Sequence, residues 1–413
     1  MNADLVLDDL RELARLTGGP DGARRVCWTD EWVRAREYLR SRLDELPVEL
    51  TVDPAGNLWA DLPGEGEGFV IVGSHVDSVP AGGWLDGALG EFAAVGALRA
   101  HADGERPPVG LRLVDWADEE GARFGRSLFG SSACAGTLEV DEVRDLRDRD
   151  GERLEDVVGR HGVDLARVHE SGQMLRGARA YLELHIEQGP VLESRGEPAA
   201  TVLGTCGVER HVAVFRGQAA HAGATPMGLR RDSFAATAQA ALAIREVGFR
   251  HDGVCTVGGA TSEPGVVTAV AGRTEMLLDQ RHLDADKLAA MLAEAREACE
   301  LAAADQNCEV ELEHIWSIPP IPFDERLIAA ARQAVTDAGG KDTAIPSGPL
   351  HDAAEMARLI PTVMIFSSSS PPVSHTKEED TPEADLRVAI DAYGRTVSAA
   401  LERAGAGDLP PRG

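Results

Sequence analysis

The helical stretch LGEFAAVGALRAH at 89–101 lies between two short apolar runs, FVIVG at 69–73 and LRLVDW at 111–116. Runs this short and apolar suit strands buried on both faces, and a strand–helix–strand order joins parallel strands through a covering helix. The pattern predicts an α/β domain built on a mostly parallel sheet with helices on both faces. Two helices precede it, over 5–16 and 31–46, with Leu5, Leu7, Leu10 and Leu13, then Trp32, Val33, Tyr38, Leu39 and Leu43, as their apolar faces. A charged stretch at 139–170 separates this block from a strand at 180–185 (AYLELH).

A second alternation begins near 207. Strand 211–216 precedes a helix near 230–246, then strands at 254–259 and 275–281, a helix at 285–304 and a strand at 308–315. Two strand–helix–strand units make a smaller α+β domain with one sheet and two helices. WSIPPIP at 316–322 reads as a linker. After it, 324–338 reads as a helix, TVMIF at 362–366 as a buried strand, 383–403 as a helix and 404–413 as a loose tail. The chain has 413 residues, more than one core usually organises. If the last segment completes the first sheet, 207–316 is an insertion into a domain formed by 1–206 and 317–413. Side chains from the two ends of the chain can then meet.

The 69 acidic residues outnumber 41 basic ones, giving a formal net charge of −28. Such a surface repels phosphate backbones and no basic stripe interrupts it, which excludes nucleic acid as a partner. Cys27, Cys134, Cys206, Cys255, Cys299 and Cys308 form no CxxC pair and read as reduced, packed thiols. The start, MNADLVLDDLRELARL, is acidic and amphipathic, unlike a signal peptide. No apolar run approaches the roughly 18 residues that span a bilayer. The expectation is a cytoplasmic protein with no membrane partner.

The strongest local pattern is GSHVDSVPAGGWLDG at 73–87. His75 follows an apolar run, at the carboxyl edge where α/β sheets place ligands. Asp77 is near enough to bond the other imidazole nitrogen and fix its tautomer. Asp86 sits in a turn with Gly82, Gly83 and Gly87, whose missing side chains let the backbone fold around an ion. A lone HxD is usually structural, whereas HxD with GGxxDG reads as a ligand pattern. DWADEEG at 115–121 sets Glu119 beside Glu120. Adjacent acids are ordinary surface by themselves, but a cation that holds one leaves the other free to take a proton from water.

ELHIEQGPVLE at 183–193 ends a strand on His185, with Gln188 and Gly189 in the turn, and Ser374-His375 follows strand 362–366. His75, Asp86, Glu120, His185 and His375 thus all come from loops after strands. Imidazole and oxygen donors without thiolates suit Zn²⁺, Mn²⁺ or Co²⁺ in an open catalytic site. Two ions about 3.5–4 Å apart sharing an Asp is the usual bimetal arrangement, with a single ion as the alternative. HAGATPM at 221–227 places His221 in a Gly/Pro-bounded loop before Arg230 and Arg231, a pattern equally suited to plain surface. Arg281, ending strand 275–281, is a candidate for a bidentate grip on a substrate carboxylate. His351 and Asp352, in SGPLHDA from 347, offer a further polar pair.

Together, GSHVDSVPAGGWLDG, DEEGARFG, ELHIEQGPVLE, HAGATPM, HDA and SHTKEE resemble, in order and over essentially the whole chain, one known enzyme group. It comprises the N-carbamoyl-L-amino-acid hydrolases, allantoate amidohydrolases and β-ureidopropionases, within the di-metal aminoacylase and carboxypeptidase-like peptidases. HIEQGPVLE and HAGxTPM distinguish it from ordinary dipeptidases. The resemblance implies a catalytic domain with an inserted lid domain that closes over a small carboxylate-bearing substrate and forms a homodimer. It implies Asp86 bridging two divalent ions, with His75, His185, Glu120 and His375 completing the pair and Glu119 as general base. His221 resembles the lid histidine that stabilises the oxyanion, commonly across the dimer, and Gln188 and Arg281 resemble substrate-binding positions, with Arg281 on the α-carboxylate.

The implied reaction is hydrolysis of a linear C–N amide, removing the carbamoyl group from an N-carbamoyl-L-amino acid with release of ammonia and CO₂. N-acyl amino acid or dipeptide hydrolysis and an allantoate-type amidase are the alternatives within enzymes. A non-catalytic binding protein is the other class, and the intact ligands with Glu119 argue against it. Two positions depart from the family. The substrate-binding Asn thirteen residues before the Arg is Thr268 here, in TAVAG, and one hydroxyl replaces an amide that both donates and accepts. Trp84 stands where Arg or Lys is commoner, an indole that favours a larger apolar substrate or covers the rim.

Overall fold

The computed structural model describes residues 1–412. They form two compact units, Met1–Gly204 with the chain from Phe323 onward, and Thr205–Pro322. The first unit supplies β1 (Glu49–Val52), β2 (Leu58–Leu62), β3 (Phe69–Ser74), β4 (Gly110–Asp115), β5 (Ala178–Ile186) and β6 (Ala199–Thr205). β7 (Gly207–Arg216), β8 (Val254–Glu263), β9 (Arg273–His282) and β10 (Glu309–Ile318) belong to the second, and β11 (Thr362–Ser367) returns to the first.

In space the large sheet runs β6-β11-β5-β3-β4-β2-β1. The central neighbours β11, β5, β3 and β4 are parallel, while β6 on one side and β2 and β1 on the other are antiparallel. Strand β3 shows why both faces are covered. Successive side chains point to opposite faces of a sheet, so Val70 and Val72 enter one core and Ile71 enters another. The first core is closed by helices α1 (Ala3–Thr17), α2 (Ala88–Ala102) and α5 (Glu383–Gly405), the second by the shorter helix at Asp352–Ala357, while the helix at Phe129–Ala135 contributes to both. Helix α2 is buried at every residue from Ala88 to Leu98, which explains its nearly unbroken apolar sequence.

Helix α1 buries Val6, Leu7, Leu10 and Leu13, and the Asn2 side chain caps it by accepting the Asp4 N–H. Leu5, expected on that apolar face, is 47% exposed, because the buried stripe runs through 6, 10 and 13 and turns residue 5 outward. The expected linker at 316–322 is a strand through Ile318, whose pairing with Val208 continues the ladder. The expected loose tail is held: Leu409 is buried, and Arg412 exchanges backbone hydrogen bonds with Gly177 and Ala178.

In the second unit the order is β8-β9-β7-β10, all antiparallel. Helices α3 (Ser233–His251) and α4 (Ala285–Asp305) are capped by Asp232 and Asp284 and share a core with Ala213, Phe215, Met276 and Leu278. EVELEH opens β10 with strict alternation: Val310 and Leu312 pack on that core, while Glu309, Glu311 and Glu313 face outward. Among the described residues no helix is long and apolar enough to cross a membrane.

Candidate metal centre

His75 and His185 stand at or just beyond the carboxyl ends of the neighbouring parallel strands β3 and β5, and their rings lie 5.9 Å apart. Gly87, at φ 64°, follows Asp86 where an added Cβ would lie 2.3 Å from the His75 ring, so only glycine lets the turn close over the imidazole. The ligand atoms of His75, Asp86 and His185 lie within 4.8 Å of one another, and those of Asp86, Glu120 and His375 do likewise. Asp86 belongs to both groups. Its Oδ1 is 3.1 Å from His185 Nε2 and its Oδ2 is 3.4 Å from His375 Nε2. His375 Nε2 is also 3.4 Å from Glu120 Oε2. All five side chains expected to gather from distant loops are brought together.

The imidazole tautomers bear on what this pocket can hold. His185 Nδ1 is 2.9 Å from the Ile186 carbonyl and His75 Nδ1 is 3.2 Å from the Asp77 carbonyl, so each Nδ1 carries the proton and donates it. Each Nε2 then turns a lone pair towards carboxylate oxygens, Asp86 for His185 and Glu119, at 3.6 Å, for His75. Both Nε2 atoms are buried and lack a hydrogen-bond partner. An Nε2 facing a carboxylate in a buried site calls for a positive charge between them, a proton or a metal ion, and this set of imidazole and carboxylate donors fits divalent ions.

The acid groups say the same. Burial first, then Asp352, Glu120, Asp77 and Asp86, pushes Glu119 well above the usual carboxylate range. Glu120 rises likewise through burial, Asp86 and Asp77. Burial opposes a charge on His185, but contact with Asp86 outweighs it and lifts the imidazole to about 9. Burial opposes ionisation of Asp86 too, and there the histidines win and hold it low. The pocket is short of cations.

Glu119 lies outside both ligand groups, buried and within reach of His75. The Asp77 carboxylate, expected on His75, is chiefly spent elsewhere. Its two oxygens accept the backbone N–H groups of Glu119 and Glu120, each at 3.2 Å, and so fix that pair of acids; its Oδ1 is 3.5 Å from His75 Nδ1. Gln188 donates its side-chain amide to Asp86 Oδ2 at 2.9 Å. Asp118, Gln188 and His375 all have φ between 57° and 60°, a left-handed conformation that non-glycine residues hold only under surrounding constraint.

His351 is buried with its ring 4.3 Å from that of His185, and Asp352 is the first charge acting on Glu119 after burial. Glu183, His185 and His351 form a third group of possible donors. Glu183, however, already accepts from Ser74 Oγ, Tyr181 OH and the Ala353 N–H, which accounts for its burial without an ion. Trp84 donates its indole N–H to Asp380 at 3.1 Å, a tie between loops.

In the second unit, His221 sits on a two-residue strand paired with Ala269–Val270. Its Nδ1 accepts the Gly223 N–H at 3.1 Å, so Nε2 carries the proton and is a donor. Thr268, exposed, accepts the Ala222 N–H on its carbonyl, which places it beside the His221 loop. Arg281, next to the last residue of β9, has its Nε 2.8 Å from Asp279 Oδ1, so any carboxylate it grips shares the guanidinium with that aspartate.

Residues 71–399 match the sequence model of Peptidase family M20/M25/M40. An N-carbamoyl-L-amino acid amidohydrolase of Geobacillus stearothermophilus is 35% identical over 397 residues, 95% of this chain and 96% of its own length. An allantoate amidohydrolase of Bacillus subtilis (strain 168) is 30% identical over 396 residues, 94% of this chain and 95% of its own. The crystal structure of an amidase of the hydantoinase/carbamoylase family from Burkholderia multivorans superposes with a TM-score of 0.88 at 29% identity, covering 97% of this chain and 98% of that one.

Proposed function

Because this chain belongs to Peptidase family M20/M25/M40 and is an amidohydrolase acting on non-peptide C–N bonds, we propose that it removes the carbamoyl group from an N-carbamoyl-L-amino acid at a two-ion centre. The observation that carries this reading is Asp86, whose two oxygens face two different histidines in two overlapping donor groups while Glu119 stands outside both. His75, Asp86 and His185 would hold one divalent ion and Asp86, Glu120 and His375 the other. When bound, such ions supply Lewis acidity, lowering the pKa of water and polarising a carbonyl oxygen.

Glu119 takes a proton from the water that attacks the ureido carbon and returns it to the departing nitrogen. It is buried within reach of His75 and belongs to neither donor group, which suits a carboxylate kept for proton transfer. His221 is the proposed donor to the oxygen that gathers charge, in its own or a partner subunit of a homodimer, and its Nε2–H tautomer suits that task. Arg281 is assigned to the substrate carboxylate, with Gln188 and Thr268 as further substrate contacts. The products are the amino acid, ammonia and CO₂. Six free thiols suit a cytoplasmic setting.

Glu119→Gln is expected to abolish turnover while bound metal is unchanged by elemental analysis; a near-normal rate removes Glu119 from the role. An allantoate-type substrate is the second reading, supported by the similarity to the Bacillus subtilis enzyme. Ammonia and amine release from N-carbamoyl amino acids, N-acetyl amino acids and allantoate, measured on Mn²⁺- and Zn²⁺-loaded protein, separates the candidates. Amine without ammonia means an acylase.

A further inference from the structure

The SHTKEE segment contributes more than His375. Its last residue, Glu379, is 1% exposed and turns its carboxylate back onto the turn that carries Asp86. Oε1 accepts the N–H of Asp86 at 3.1 Å and that of Leu85 at 3.4 Å. Oε2 accepts the hydroxyl of Ser374 at 2.6 Å, the residue just before His375. A Cβ added to Gly83 would lie 2.0 Å from Oε1 and 2.5 Å from the Glu379 Cβ, so the turn keeps a glycine where this carboxylate must enter. The bond from Trp84 to Asp380 fastens the same two segments from outside.

The five donors are not equally anchored. His75 and His185 stand beside buried strands, and Glu120 is held through its N–H by Asp77. His375, whose side chain is 51% exposed, sits in a loop at φ 59°. We propose that Glu379 is a positioning residue that sets His375 against Asp86. It thereby bears on the Asp86–Glu120–His375 group through two of its donors, and on the His75–Asp86–His185 group only through the shared Asp86. This inference rests on the two-ion reading above.

The test is Zn²⁺ stoichiometry by elemental analysis, with affinity from competition against a chromogenic chelator, for the wild-type chain, Glu379→Ala, Glu379→Gln and Gly83→Ala. The wild type should take two ions. Glu379→Ala should weaken one ion by about 10–100-fold, the usual cost of losing a group that orients a ligand, and the other, which shares only Asp86, by clearly less. Gly83→Ala should reproduce that split by displacing the carboxylate. Glu379→Gln should recover much of the loss, since its carbonyl still accepts the two backbone N–H groups.

Circular dichroism establishes which variants fold, and a folded Gly83→Ala carries the test if Glu379→Ala does not fold. Two ions at wild-type affinity in either folded variant, or equal weakening of both ions, overturns the proposal. A wild-type chain that takes up no ion overturns the two-ion reading and this inference with it, so the two failures are told apart.

Discussion

Asp77 acts on the site through backbone rather than through a donor atom of its own. Asp77→Ala removes the acceptor for the N–H groups of both Glu119 and Glu120. It is expected to lower metal affinity by about 10–100-fold and turnover along with it, read by chelator competition and initial rates; unchanged values would leave Asp77 a bystander. Gly87→Ala drives a methyl into the His75 ring and demands a left-handed alanine. It should lose the ion at the His75 group first, read as a drop in Zn²⁺ stoichiometry. The local spacing of HxD and GGxxDG made His75 and Asp86 legible in the sequence. The Asp77 bonds to residues 119 and 120, and the Glu379 bonds to 85 and 86, join segments far apart in the chain, and no local pattern encodes which amide an acid will reach.

Elements were legible where one physical rule dominated. Strand β3 is buried on both faces and reads as an apolar run; β10 is buried on one and reads as alternation. Strands β1, β2 and β6 escaped notice. β1 is an exposed edge with no apolar run to mark it, and β2 interrupts its apolar residues with Asp61. The second unit hangs its two helices on the inward residues of its sheet, of which Phe215 is fully buried. Phe215→Ala should cost that unit about 3–5 kcal/mol, seen as an earlier urea transition, whereas loss below about 1 kcal/mol would mean the core there is slack.

For the whole molecule, the crowd of buried acids makes stability depend on pH and metal together. Burial and then Asp86 lift Glu379 to about 7, and burial and then Asp77 lift Asp118 to about 8. A carboxyl whose folded pKa lies above its unfolded one contributes stability that is full below the unfolded value and lost as pH climbs through the folded one. Metal-free protein should therefore melt at progressively lower temperature from about pH 4 towards pH 8, and divalent ions held by Asp86 and Glu120 should offset the loss because their positive charge opposes the repulsion among these buried carboxylates. Melting temperatures of chelator-treated and reloaded protein at about pH 5 and pH 8 check this; a gap that fails to widen with pH contradicts it. The division into two units follows from the return of strand β11, which slots between β5 and β6 rather than adding at an edge. A ribosome making this chain thus releases β5 and β6 with a vacant place between them and fills it only after residue 362 has emerged. Until then both strands offer unpaired backbone to any neighbour, so a nascent or prematurely stopped chain is an aggregation hazard.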